Sequence, residues 1–220
     1  KNGINYFGKK NFLGTFSPPV AVINDFNFLN TLNERDWRSG MSEAVKVALI
    51  KDAAFFYWLE DHALALSRRD TETMEKLIFD CGALHVDHIS SQGDPFEMGS
   101  SRPLDFGHWA AHKLEQLTEF EVKHGEAVAI GIALDLAYAV NEGLLAHNVF
   151  ERVYAVLGQL GFTLFHPLLL NQETNTLNPE VYAGLEEFRA HLGGQLTITL
   201  IKEIGIQFNV HEMNKNSLDR

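Results

Sequence analysis

Three short segments hold the residues best suited to chemistry: Gly40 to Lys46, Asp105 to His112, and His124 to Ala129. They supply one carboxylate, Glu43, and the imidazoles of His108, His112 and His124, all in helix-like sequence. A catalytic zinc ion takes three protein ligands from such a set and keeps a fourth position open. Carboxylate and imidazole suit a borderline divalent ion, whereas softer metals prefer thiolates.

The bland reading is that these are ordinary polar residues at helix ends. It is accepted for His62, His85, His147, His166, His191 and His211. His108 and His112 are four apart, so a helix presents both on one face. The zinc-protease signature is excluded, because it needs Glu directly after the first His and Trp109 stands there. His108 and His124 each adjoin a glycine beside a long apolar helix, where close packing would turn the rings inward. Glu43 is flanked by Ala44 and Val45 within an apolar helix, and a buried carboxylate needs a partner or an ion. Glu43 and His124 can reach the His108 pair only through tertiary packing.

The elements that would position them read as mainly α. Residues 1–32 suggest loop and short strand, with strand candidates Asn11 to Phe16 and Val20 to Asn24 separated by Ser17-Pro18-Pro19. Asn33 can cap a helix whose apolar spacing runs to Ile50. Further helices are expected at about 52–66, 70–91, 105–119, 124–142, 147–160 and 178–191. The stretch Ala127 to Val140 is apolar nearly all round, which marks an enclosed helix. Leu196 to Leu200 and Ile206 to Val210 alternate with period two and predict a hairpin.

The 220 residues, 45% hydrophobic, suffice for a substantial core. A formal charge of −11 argues against nucleic acid or an anionic membrane as partner. One cysteine, Cys81, excludes an internal disulfide and a CxxC metal site, and points to a reducing cytoplasm. No apolar run approaches the ~20 residues of a membrane span, and no leader-like segment opens the chain.

The three segments resemble 3-dehydroquinate synthase and its relatives, the sugar phosphate cyclases. Gly40 to Lys46 is similar to the family's GLAEVIK helix, and Gly107 to His112 to its GHTxGH segment. His124 to Gly131 reproduces its HGEAVAIG segment letter for letter. Lys1 to Asn5 and Gly8 to Gly14 resemble its KTGVN and GKNLIG. The likeness runs in consistent order from residue 1 to about 145. It implies the helical C-terminal domain of the 3-dehydroquinate synthase-like fold, with short β-strands at its N-terminal end and a C-terminal hairpin. Residues 1–32 would then be the last part of a dinucleotide-binding domain, and 33–220 the metal- and substrate-binding domain. The chain reads as the interior of a longer protein, and alone it is expected to be inactive.

By this resemblance Glu43, His108 and His124 hold zinc or another divalent metal. Lys46 and His112 face the substrate, with Asp105 beside them. Lys1, Lys10 and Asn11 contact cofactor or substrate phosphate, and Phe28, Leu29, Asn30 and Thr31 lie along NAD. The implied reaction is a zinc- and NAD-dependent oxidation, phosphate elimination, reduction and intramolecular aldol closure of a sugar phosphate, by a protein that pairs as a homodimer.

The departures concern the substrate. Asp105 stands where the family has Asn, so a group that donates and accepts becomes one that only accepts when ionised. Arg102 is one position from the expected Arg, His85 falls near a family Lys, and Arg189 stands in a late segment that is basic in the family. Carboxylate recognition rests on bidentate Arg or paired cations. Losing them suggests a heptulose phosphate, as in the valiolone-type cyclases, instead of the shikimate-pathway heptulosonate. Two other readings stay open: a metal-dependent polyol or alcohol dehydrogenase, and a non-catalytic helical domain.

Overall fold

The computed structural model describes residues 2–7, 9–15, 20–91, 103–191 and 193–219. It is mainly helical, with short strand pairs near both ends, as the sequence predicts. Strands β1 (Asn2–Tyr6) and β2 (Lys9–Thr15) form an antiparallel hairpin with Ile4 opposite Leu13. The candidate strand at Asn11 to Phe16 falls in β2, with Phe16 outside the described residues. Val20 to Asn24 is not a strand. A strand needs a ladder partner, and this exposed segment has none among the described strands before it enters a 3-10 turn at Phe26–Thr31.

The predicted helix from Asn33 to Ile50 is two helices. Asn33 caps α1 (Glu34–Ser39) by accepting from the Asp36 amide, and α2 (Met41–Lys51) follows after Gly40. The break lies where another helix crosses. A Cβ on Gly125 would sit 1.8 Å from the Ser39 carbonyl oxygen, so the two backbones touch there. Asp52 then ends α2 and caps α3 (Ala53–Ser67) by accepting from the Phe55 amide at 3.0 Å. Next come α4 (Thr71–Ser91), a 3-10 turn at Pro103–Asp105, and α5 (His108–Leu117). The helix expected from residue 105 thus starts at His108, after Gly107 takes a left-handed conformation with φ 76°.

Helix α6 (His124–Asn141) is the hub, buried on nearly every face as its apolar sequence requires. On one side Met41, Leu49, Phe56, Leu136 and Leu157 pack together, drawing on α2, α3, α6 and α7 (His147–Gln159). On the other, Trp109, Ile130 and Tyr138 meet residues from further along the chain. That part comprises the strand pair β3 (Leu170–Asn171) and β4 (Thr176–Leu177), then α8 (Pro179–His191), the hairpin β5 (Ile198–Glu203) and β6 (Ile206–Val210), and α9 (Lys215–Leu218). Each such aliphatic or aromatic side chain contributes roughly 1.5–3 kcal/mol when fully buried.

The β5–β6 hairpin is seated on α2. Gly205, at its tip with φ 84°, donates its N–H to the Leu49 carbonyl at 2.8 Å. A Cβ there would meet the Ala53 nitrogen at 2.8 Å, so glycine permits both the turn and the approach. Among the described residues no helix is long and apolar enough to cross a membrane.

Candidate metal centre

Three helices start at one point. Glu43 lies in the first turn of α2, His108 opens α5, and His124 opens α6. Their ligand atoms all lie within 4.8 Å of one another. Glu43 Oε1 is 3.1 Å from His124 Nε2 and 3.5 Å from His108 Nε2. The partly positive helix starts favour the carboxylate there.

Each imidazole is oriented through its other nitrogen. His108 Nδ1 donates to the Phe106 carbonyl at 3.0 Å, which turns Nε2 toward Glu43. His124 Nδ1 donates to Glu115 Oε2 at 3.1 Å, on the side of the ring away from Glu43. Metal-bound histidines are commonly held in this way, by a carboxylate or a backbone carbonyl. Glu115 is buried within α5. His112, Glu115 and His124 also lie within 4.8 Å of one another. Since His124 turns Nδ1 to Glu115 and Nε2 to Glu43, the set with Glu43 and His108 leaves both ring contacts in use.

Burial by itself would raise the Glu43 carboxyl. Hydrogen bonds from His108 and His124, then the charge of Lys46, outweigh it and hold the group far below the usual carboxylate range. Lys46 is buried one turn further along α2, with Nζ 2.5 Å from Glu43 Oε2. The His112 ring stands 5.3 Å from that of His108 and 6.0 Å from that of His124. The donor set of one carboxylate and two imidazoles fits a zinc-like ion. Cys81 is not part of it, and burial pushes its thiol up to about 12.

Close backbone contact explains why glycines adjoin two of these residues. A Cβ on Gly131 would lie 1.9 Å from the Gly107 carbonyl oxygen, so α6 presses directly on the turn before His108. Asp135, one turn further along α6 and fully buried, accepts from the Gly107 amide at 2.9 Å and from Trp109 Nε1 at 2.7 Å. Glu115 and Asp135 escape a reading of motifs. For Asp135 a signal exists, since a lone acid in a helix apolar all round must be buried and must have donors.

The remaining site residues fall as follows. Asp105, half-buried, closes the 3-10 turn three residues before His108. Phe28 and Asn30 are exposed on the 3-10 turn with Thr31, whose hydroxyl donates to the Phe28 carbonyl, while Leu29 packs on the core. Lys10 and Asn11 contribute backbone to β2, and their side chains lie outside the described residues, as do Lys1 and Arg102. Arg189 pairs with Glu186 on its own helix, and His85 is exposed on α4.

Known proteins share this arrangement of elements. The 3-dehydroquinate synthase C-terminal family matches residues 40–180, and the 3-dehydroquinate synthase N-terminal family matches residues 1–39. A 3-dehydroquinate synthase of Halorhodospira halophila is 34% identical over 93% of this chain and 56% of its own length. A 2-epi-valiolone synthase of Actinosynnema mirum is 33% identical over 93% of this chain and 53% of its own. The solved 2-epi-5-epi-valiolone synthase of Streptomyces hygroscopicus, with NAD+ and Zn2+ bound, superposes with a TM-score of 0.85 at 28% identity, covering 98% of this chain and 58% of that one. The chain therefore spans about half the length of the curated relatives it matches. With the motifs, the helical plan and the family match over residues 40–180 in agreement, the chain belongs to the 3-dehydroquinate synthase family.

Proposed function

We propose that the protein carrying this chain is a sugar phosphate cyclase, a phosphate-eliminating carbon–oxygen lyase, and that this chain is its metal- and substrate-binding part. One observation carries the reading: Glu43, His108 and His124 converge from three helices to within 4.8 Å. These residues would hold a divalent metal, zinc by preference for the donor set. When bound, the metal supplies a Lewis acid and NAD a hydride acceptor. The solved relative with NAD+ and Zn2+ supports both cofactors.

This chain's own residues do the rest. Lys46, buried against Glu43, keeps a positive charge beside the cluster in a protein of net charge −11, where a phosphate ester would otherwise be repelled. The starts of α2, α5 and α6 add partial positive charge at the same point. His112 is placed to exchange a proton with a substrate held beside His108 and His124. Asp105, if ionised, accepts hydrogen bonds from substrate hydroxyls. Phe28 and Asn30 leave an exposed edge along which NAD would lie. Lys1, Lys10 and Asn11 complete the phosphate contacts in this reading, and a homodimer in a reducing cytoplasm completes its setting.

A second level of the reading concerns the substrate. Arg35, Arg38, Arg69, Arg152 and Arg189 are already committed to Glu126, the Gly161 carbonyl, the Leu32 carbonyl, Glu60 and Glu186 respectively. Arg68 is exposed and Arg102 lies outside the described residues, so the preference for a heptulose phosphate over a heptulosonate phosphate rests on the sequence departures at Asp105 and around Arg102. Phosphate release should be measured with the whole protein, NAD and zinc, offering both substrates. Release from the heptulose phosphate supports the reading. Release from neither, with steady net NADH production from polyols, would replace it with a dehydrogenase.

A further inference from the structure

We propose that Asp135 is a positioning residue for the metal centre: from the neighbouring helix it grips both residues that flank His108 and so fixes the direction of that imidazole. This rests on the reading of His108 as a ligand.

The argument begins with burial. Asp135 has no exposed surface, and among the described residues no cation is bonded to its carboxylate. An acid in that position costs free energy unless donors satisfy it. Here the donors are two N–H groups on either side of one residue, the Gly107 amide and the Trp109 indole, each bonded to a different oxygen. Burial pushes the carboxyl up to about 7 while both bonds pull it down. The grip falls on a glycine at φ 76° directly before His108, a backbone conformation that other residues rarely adopt. Gly131, one turn earlier on α6, lets the two backbones meet there. The His108 ring is then closed back on the same turn through the Phe106 carbonyl. Backbone, ring and the following indole are all fixed, so Nε2 can face Glu43 with little freedom left to lose on binding metal.

Asp135→Asn and Trp109→Phe test this in the purified protein, with zinc affinity and the absorption spectrum of the cobalt-loaded protein as readouts. Asn offers one oxygen to two donors, and Phe keeps the ring while deleting only its N–H. The expected result is zinc binding weakened by about 10–100-fold in each, together with altered cobalt bands and retained helical circular dichroism. Wild-type affinity and an unchanged cobalt spectrum in both folded variants would reduce Asp135 to a packing group and overturn the inference. Should neither variant fold, hydrogen exchange in the metal-free wild type decides. Protection of the Gly107 amide and Trp109 indole supports a turn fixed before metal arrives, and fast exchange refutes it. A wild-type protein that takes up no metal would overturn the ligand reading itself, a distinct outcome from equal binding by wild type and variants.

Discussion

The Glu115 carboxylate lies 3.1 Å from His124 Nδ1, while Glu43 lies 3.1 Å from Nε2 of the same ring. One imidazole is thus held between two acids that do different things. Glu115 holds the ring through Nδ1, and in the proposed reading Glu43 and the Nε2 of His124 would bind the same ion. Replacing Glu115 with Gln keeps the size and removes the charge that strengthens this bond. Zinc affinity is expected to fall about 10–100-fold, as for other partners behind a metal ligand. Equilibrium dialysis against zinc checks it, and an unchanged affinity would show that Glu115 does not orient His124.

Gly131 is the point where α6 touches the turn before His108. A methyl group there would lie 1.9 Å from a backbone oxygen, which cannot swing aside as a side chain could. Gly131→Ala should therefore destabilise the protein by roughly 1–3 kcal/mol, the usual cost of overpacking, and should weaken zinc binding as well. Gly158→Ala is the control, because nothing lies within 4 Å of a Cβ there. Chemical denaturation compares them, and equal midpoints would contradict the contact.

Asp135 gives a pH signature with a definite sign. Its folded carboxyl is raised from 3.8 to about 7 by burial. Between those values the unfolded chain has lost the proton that the folded chain keeps. The contribution of Asp135 is fully present below about pH 4 and is lost as pH rises through about 7. Relative to Asp135→Asn, wild type should lose stability over that interval, by at most about 4 kcal/mol at ~1.4 kcal/mol per pH unit. Parallel urea titrations at several pH values test this, and a constant difference would refute the shift.

Glu43 behaves oppositely. Its carboxyl is held below the ordinary range, so the stability it contributes persists as pH falls and is lost only in strong acid. Loss of metal on mild acidification should therefore follow protonation of the imidazoles, with a steepness of up to two protons. Zinc release recorded against pH tests this. Release delayed until the strongly acid range would contradict it.

Much of this was legible in the sequence, for identifiable reasons. Glu43, His108 and His124 stand in segments whose order and neighbours match one family, and glycines beside the histidines signalled close packing. Helix α6 was readable because Ala127 to Val140 is apolar on every side. The break at Gly40 was not readable, because the Gly125–Ser39 contact that marks it joins residues far apart in the chain. Val20 to Asn24 has strand composition without a strand to pair with among the described residues. Glu115 and Asp135 gain their roles only from partners that folding brings to them.

The central claim is that Glu43, His108 and His124 hold one ion together. Metal content per chain, by elemental analysis after extensive dialysis, tests it most directly in wild type, Glu43→Ala, His124→Ala and His147→Ala. His147 serves as the control because it is exposed and paired with Glu151. The account predicts roughly one zinc per chain in wild type and His147→Ala, and almost none in the other two. Full zinc content in Glu43→Ala or His124→Ala would contradict it.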